Sequence, residues 1–141
     1  MRAVRQKGVV AAGILAAAAF TPAGAFAGGF DGSANLVCSA IDVVACVEGP
    51  DCVQGQSRTF DLAQFLYIDF KGKVVRATDE SGIKAVSPIK NLESTGRQLI
   101  LQGVENGHGW GISIDRKTGR MTTTVSGDLA SFMVFGACTA I

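Results

Sequence analysis

A few residues in this 141-residue chain could do chemistry: one histidine, four cysteines, one pair of adjacent carboxylates and scattered serines. His108 stands in Asn106-Gly107-His108-Gly109-Trp110. An imidazole can act as a general base or a metal ligand. A histidine-built metal site needs a second ring, and a Ser-His-Asp relay needs a nucleophile beside the ring and a carboxylate behind it. No Gly-x-Ser-x-Gly elbow presents such a nucleophile. His108 therefore reads first as a polar turn residue, with an enzyme built on it as the alternative. Asp79 and Glu80 are neighbours, and neighbours along a strand face opposite sides; they suit a solvated turn better than an acid–base pair. Neither a D-x-D-x-D-G calcium loop nor a phosphate-cradling G-x-x-x-x-G-K-[ST] loop occurs. The sequence thus assigns no catalytic residue, no cofactor and no metal.

The cysteines are Cys38, Cys46, Cys52 and Cys138. Their C-x7-C-x5-C spacing fits no zinc site. An even count in a small exported chain predicts two disulfides, with three pairings possible. Cys46–Cys52 around the turn Glu48-Gly49-Pro50-Asp51 is the favoured short bridge. It would leave Cys38–Cys138 to tie the first strand to the last; the other two pairings stay open.

Export is read from the first 27 residues. Arg2, Arg5 and Lys7 precede an uncharged apolar run at 9–20, then Pro22, then Ala25-Phe26-Ala27. A positive stretch, an apolar stretch and a small-x-small site are the layout of a cleavable secretory signal. The run is shorter than the ~20 residues a membrane helix needs. Cleavage would leave 28–141 as one domain, periplasmic or secreted, with no stable membrane insertion. It would also remove three of thirteen basic residues and none of the twelve acidic ones, for a net charge of about −2. A weakly acidic small domain lacks the electrostatic footprint for nucleic acid.

The elements that must position these residues are strands. Short apolar runs at 36–47, 65–70, 74–78, 85–92, 98–104, 110–115, 121–126 and 131–138 are separated by turn residues, of which Asn106-Gly107 is the strongest hairpin signal. Pro88 suggests an edge or a bulge in its strand. The segment at 59–66 is the one candidate for a helical turn, with Asp61 as its cap, and 28–34 reads as a loose lead-in. About eight strands with short connections predict an all-β antiparallel meander, closed into a small barrel or strongly curled, pinned by disulfides.

Two features hint at binding. Trp110, the only tryptophan, either packs in the core or presents its ring at a surface. The last strand is apolar on both faces, with Phe132, Val134 and Cys138 on one and Met133 and Phe135 on the other. It is either covered on both sides, by 59–66 or by the lead-in, or one face lines a cavity or meets a partner.

The residues Leu101-Gln102-Gly103-Val104-Glu105, Gly109-Trp110-x-Ile112-x-Ile114-Asp115-x-x-Thr118-Gly119 and Val134-Phe135-Gly136-Ala137-Cys138 resemble a group of small exported bacterial proteins of unassigned function. More weakly, the chain is similar to the barrel-forming inhibitors of c-type lysozyme. That resemblance implies an exported eight-stranded barrel closed by a disulfide, with an inhibitory loop carrying Ser-Gly-x-x-Tyr. Ser81-Gly82-Ile83-Lys84-Ala85 keeps the Ser-Gly and has Ala85 in place of the Tyr; the family's second motif is not reproduced around Trp110. The expectation is a non-enzymatic binding module for a protein partner or a small apolar ligand, with Met133, Phe135, Trp110, His108 and Ser81 as candidate contacts. Lysozyme inhibition through 79–84 is the alternative.

Overall fold

The computed structural model describes residues 29–49 and 51–141. The export segment expected at 1–27 lies outside the described residues, as does Pro50. The alternating pattern becomes nine antiparallel strands: β1 (Leu36–Val47), β2 (Cys52–Gly55), β3 (Phe65–Asp69), β4 (Val74–Ala77), β5 (Val86–Ser94), β6 (Gln98–Glu105), β7 (His108–Asp115), β8 (Arg120–Ser126) and β9 (Ala130–Ala140). Strands β3 to β9 follow one another as a meander, and β9 returns to pair with β1 along nearly its whole length. Eight strands are thereby closed into a barrel, which satisfies the backbone edges that an open sheet would expose. The ninth, β2, forms a hairpin with the C-terminal half of β1, on the same edge whose N-terminal half holds β3.

A single irregularity in β1 makes closure compatible with its sequence. Leu36, Cys38 and Ala40 point inward, and so do Val43 and Ala45. The change of phase is a β-bulge between Ala40 and Asp42, which leaves Ile41 outside. An unbroken period of two would have turned the Asp42 carboxylate into the barrel. Inside, Leu36, Ile68, Leu99, Leu101, Ile114 and Met121 form a solid core at one end. Full burial of each such side chain contributes roughly 1.5–3 kcal/mol.

The two disulfides are Cys38–Cys138 and Cys46–Cys52. Each joins residues directly opposite in register, the first across the β1–β9 closure and the second across the β1–β2 hairpin.

Three local expectations are corrected, and two either-or readings are resolved. The lead-in is not loose, because Phe30 packs on the core and stoppers that end of the barrel. The helical turn is a short 3-10 turn, Ser57–Phe60, that stops before Asp61; Asp61 closes it from the C-terminal side in the left-handed region (φ 54°) instead of capping its start. Of the two readings of Pro88 the bulge holds and the edge does not: β5 is an interior strand paired on both sides, with a bulge between Ile89 and Asn91. Residues 52–55, unassigned in the sequence reading, form β2 because the Cys46–Cys52 pair and its turn fold them back on β1. Finally, β9 is covered on its inner face alone, because the 3-10 turn and the lead-in both pack inside the barrel.

Candidate functional site

The barrel interior changes character along its axis. Away from the Phe30 end, Ala40, Ala77 and Ser87 occupy inward positions, and Ala63 and Ala85 stand in the flanking loops. Such short side chains do not meet across eight strands, and they leave an open-mouthed cavity of about 470 Å³. Ligand sites span roughly 300–1,000 Å³, and an eight-stranded barrel has room for one small ligand.

The walls are mainly apolar: Leu66, Val75, Ile112, Val125, Phe132 and Val134, with the ring of Trp110. Trp110 is set by two contacts. Its register partner on β6 is Gly103, where a Cβ would collide with the indole, so the ring lies flat against that strand only because position 103 has no side chain. The indole Nε1 donates a 2.6 Å hydrogen bond to the Ser87 hydroxyl oxygen. Thr123, on β8, also lines the cavity. It is 6% exposed, and its hydroxyl oxygen is closed off from the cavity and has no hydrogen-bond partner. Polar groups buried in this way are normally bonded.

The mouth is built from loops. Leu62 and Ala63 overhang it, anchored by the bond from Ala40 N–H to the Gln64 carbonyl and by Phe60, which meets Phe132 edge-on at 6.3 Å. Asp61, Arg76, Glu105, Asn106 and His108 share the rim. Two carboxylates, one guanidinium, one amide and one imidazole thus border the opening. The Arg76 guanidinium is held 4.2 Å over the Tyr67 ring. His108 and Glu105 are the register pair flanking the Asn106-Gly107 turn, in which both residues have positive φ (50° and 81°) as a type I′ hairpin requires. The exposed His108 ring places Nδ1 3.0 Å from the Asn106 carbonyl oxygen.

Of the sequence candidates, Trp110 and His108 come together at the cavity, one in the wall and one on the rim. Met133 and Phe135 do not join them. They point outward from β9, 43% and 42% exposed, beside Val44 and Asp42 of β1. Ser81 is a structural pin: its Oγ accepts from the Phe65 N–H (3.1 Å) and donates to the Phe65 carbonyl (3.0 Å), fastening the turn before β5 to β3. Sequence reasoning missed Thr123, Ser87 and the small residues. The available signal was phase, since Thr123 shares the inward phase of Met121 and Val125, between two outward threonines.

A second depression, of about 690 Å³ and with a more polar lining, lies at the Phe30 end, around Asp31, Arg97 and Asp115–Thr118. Two of its acids are held below the ordinary carboxylate range: Asp31 by the Ser33 hydroxyl and N–H, which both donate to its Oδ1, and Asp115 by its own hairpin. Asp115 Oδ1 accepts from Thr118 N–H (2.9 Å), Lys117 N–H (3.0 Å) and the Thr118 hydroxyl (3.0 Å), and those bonds hold its carboxyl down at about 2. Among the described residues no cluster of His, Cys, Asp and Glu could hold a metal ion, and no helix is long and apolar enough to cross a membrane. No protein-family model, curated protein or solved structure matches the chain.

Proposed function

We propose that this protein is a non-enzymatic carrier or sensor that binds one small apolar molecule inside its barrel, outside the cytoplasm, after removal of residues 1–27. The observation that carries the reading is the half-hollow interior: a mouth-opened cavity of about 470 Å³ with apolar walls in a barrel whose other half is solidly packed. Export is supported by the charged-apolar-small order of the first residues and by two disulfides in a small domain, which persist in oxidising compartments. Lysozyme inhibition through 79–84 has weaker support, because the Ser81 hydroxyl is committed to the Phe65 backbone and does not project from the turn. A lysozyme assay with excess protein is expected to show an unchanged rate.

The test is native mass spectrometry of protein purified from the exported fraction of its host, then incubated with medium-chain apolar probes. The expected result is a chain starting at Gly28 with both disulfides formed, carrying one small adduct that leaves on denaturation and exchanges with the probes. A bare chain that takes up no probe would overturn the binding reading.

A further inference from the structure

We propose that the outer face of β1 and β9 is a docking surface for a basic, amphipathic segment of a partner protein. The β1–β9 register sets Val44 opposite Met133 and Asp42 opposite Phe135 on that face, with Ile41 put outside by the bulge. The row continues to Val47, opposite Ala130, and to Leu129 in the turn before it. Ile41, Val47, Leu129, Met133 and Phe135 are all well exposed, and the stretch from Ile41 to Val47 is roughly 20 Å long at the rise of a strand. A contiguous exposed apolar surface marks an interaction site, and the charge around this one selects what covers it. No Lys, Arg or His stands at 30–57 or at 121–141, whereas those two segments hold Asp31, Asp42, Glu48, Asp51 and Asp128. The ten basic residues that follow the export segment all lie within 58–120. Of those nearest along the chain, Arg58 reaches to Gln64 (3.5 Å), and Arg120 stands opposite Ala137 at the Phe30 end. Asp42, Glu48 and Asp128 are exposed beside the apolar row, and among the described residues none of them pairs with a cation. A second copy laid on this face across a two-fold would set those carboxylates against one another, and an anionic lipid surface would repel them. A partner with lysines or arginines around an apolar centre meets both features at once: its cations face the carboxylates while its apolar side chains cover Met133 and Phe135.

The experiment titrates the disulfide-bonded protein with two synthetic amphipathic peptides of equal length that share a leucine face and carry either lysine or glutamate on the other. Met121 and Met133 are the only methionines after the export segment. Met121 is buried in the barrel and Met133 lies on the proposed face, so their methyl resonances separate docking on the face from entry into the cavity. The lysine peptide is expected to shift Met133 saturably and to leave Met121 in place; the glutamate peptide should shift neither. Phe135→Ser should weaken the lysine peptide about tenfold, and Asp42→Asn with Glu48→Gln about fivefold. Leu92→Ser, an exposed site on β5 away from this face, should leave the affinity unchanged. Circular dichroism checks that each variant is folded. Equal binding of the two peptides, binding of neither, a shift of Met121 in place of Met133, or wild-type affinity in the Phe135 and carboxylate variants would overturn the proposal. A Met133 shift on concentrating the protein alone would assign the face to a second copy, and one produced equally by phosphatidylcholine vesicles would assign it to a bilayer; either result also overturns the basic partner.

Discussion

At the scale of single residues, Trp110 shows how local chemistry shapes the site. Its N–H reaches Ser87 and its ring rests where Gly103 lacks a Cβ. Trp110→Phe should cost about 1–2 kcal/mol in urea unfolding followed by circular dichroism, the usual worth of one buried hydrogen bond with its desolvated partner. Gly103→Ala should cost about 1–3 kcal/mol by overpacking, and it should shift the tryptophan emission, because the ring must move. Asp115 supplies a pH signature unrelated to binding. Its folded-state carboxyl is depressed to about 2 by the hairpin's N–H and hydroxyl donors, so its stabilisation is present above the unfolded value near 4 and is lost as pH falls toward 2. Thermal melts between pH 5 and 2 should show this loss in the wild type, and Asp115→Asn, which keeps an acceptor oxygen, should flatten that part of the profile. At this scale the sequence disclosed Trp110 and His108, whose types are rare in the chain. It hid Thr123 and Ser87, since a hydroxyl residue becomes informative only when its phase turns it toward an apolar interior.

At the scale of elements, the turn residues made most strands legible: Asn106-Gly107 and the glycines at 72, 119 and 127 each stand between two strands that pair as hairpins. Two things escaped. The short β2 has little apolar content and exists through its pairing with β1 and its disulfide. The bulge at Ile41 was not visible because it depends on closure, which decides that Asp42 must face out. Strand β9 divides cleanly between its faces. Met133→Ser and Phe135→Ser should each cost about 1 kcal/mol or less, since these side chains are already well exposed, whereas the inward Ile112→Ala should cost about 2–5 kcal/mol. The two disulfides should differ likewise. Cys46 and Cys52 are 6 residues apart and Cys38 and Cys138 are 100 apart. In the chain-entropy account, the paired Cys→Ala changes lower stability by roughly 2 kcal/mol for the short loop and roughly 4–5 kcal/mol for the long one. Chemical denaturation of the two double variants measures the difference.

At the scale of the molecule, the barrel is solid at the Phe30 end and hollow at the other, and the division follows side-chain size. Leucines, isoleucines and Met121 fill the first half; Ala40, Ala77 and Ser87 leave the second unfilled. The all-β class and closure were legible in strand count and spacing, but the hollow was not, because it depends on which strands' small residues meet at one level. The central claim is that this space takes a small apolar molecule. The most direct measurement is energy transfer from Trp110, the sole tryptophan, to the neutral probe N-phenyl-1-naphthylamine. It is made in the wild type and in a filled variant, Ala77→Leu with Ala85→Leu, whose fold is checked by circular dichroism. The account predicts saturable one-site transfer in the wild type and its loss in the folded, filled variant. Transfer that never saturates, or that persists undiminished once the cavity is filled, would contradict it.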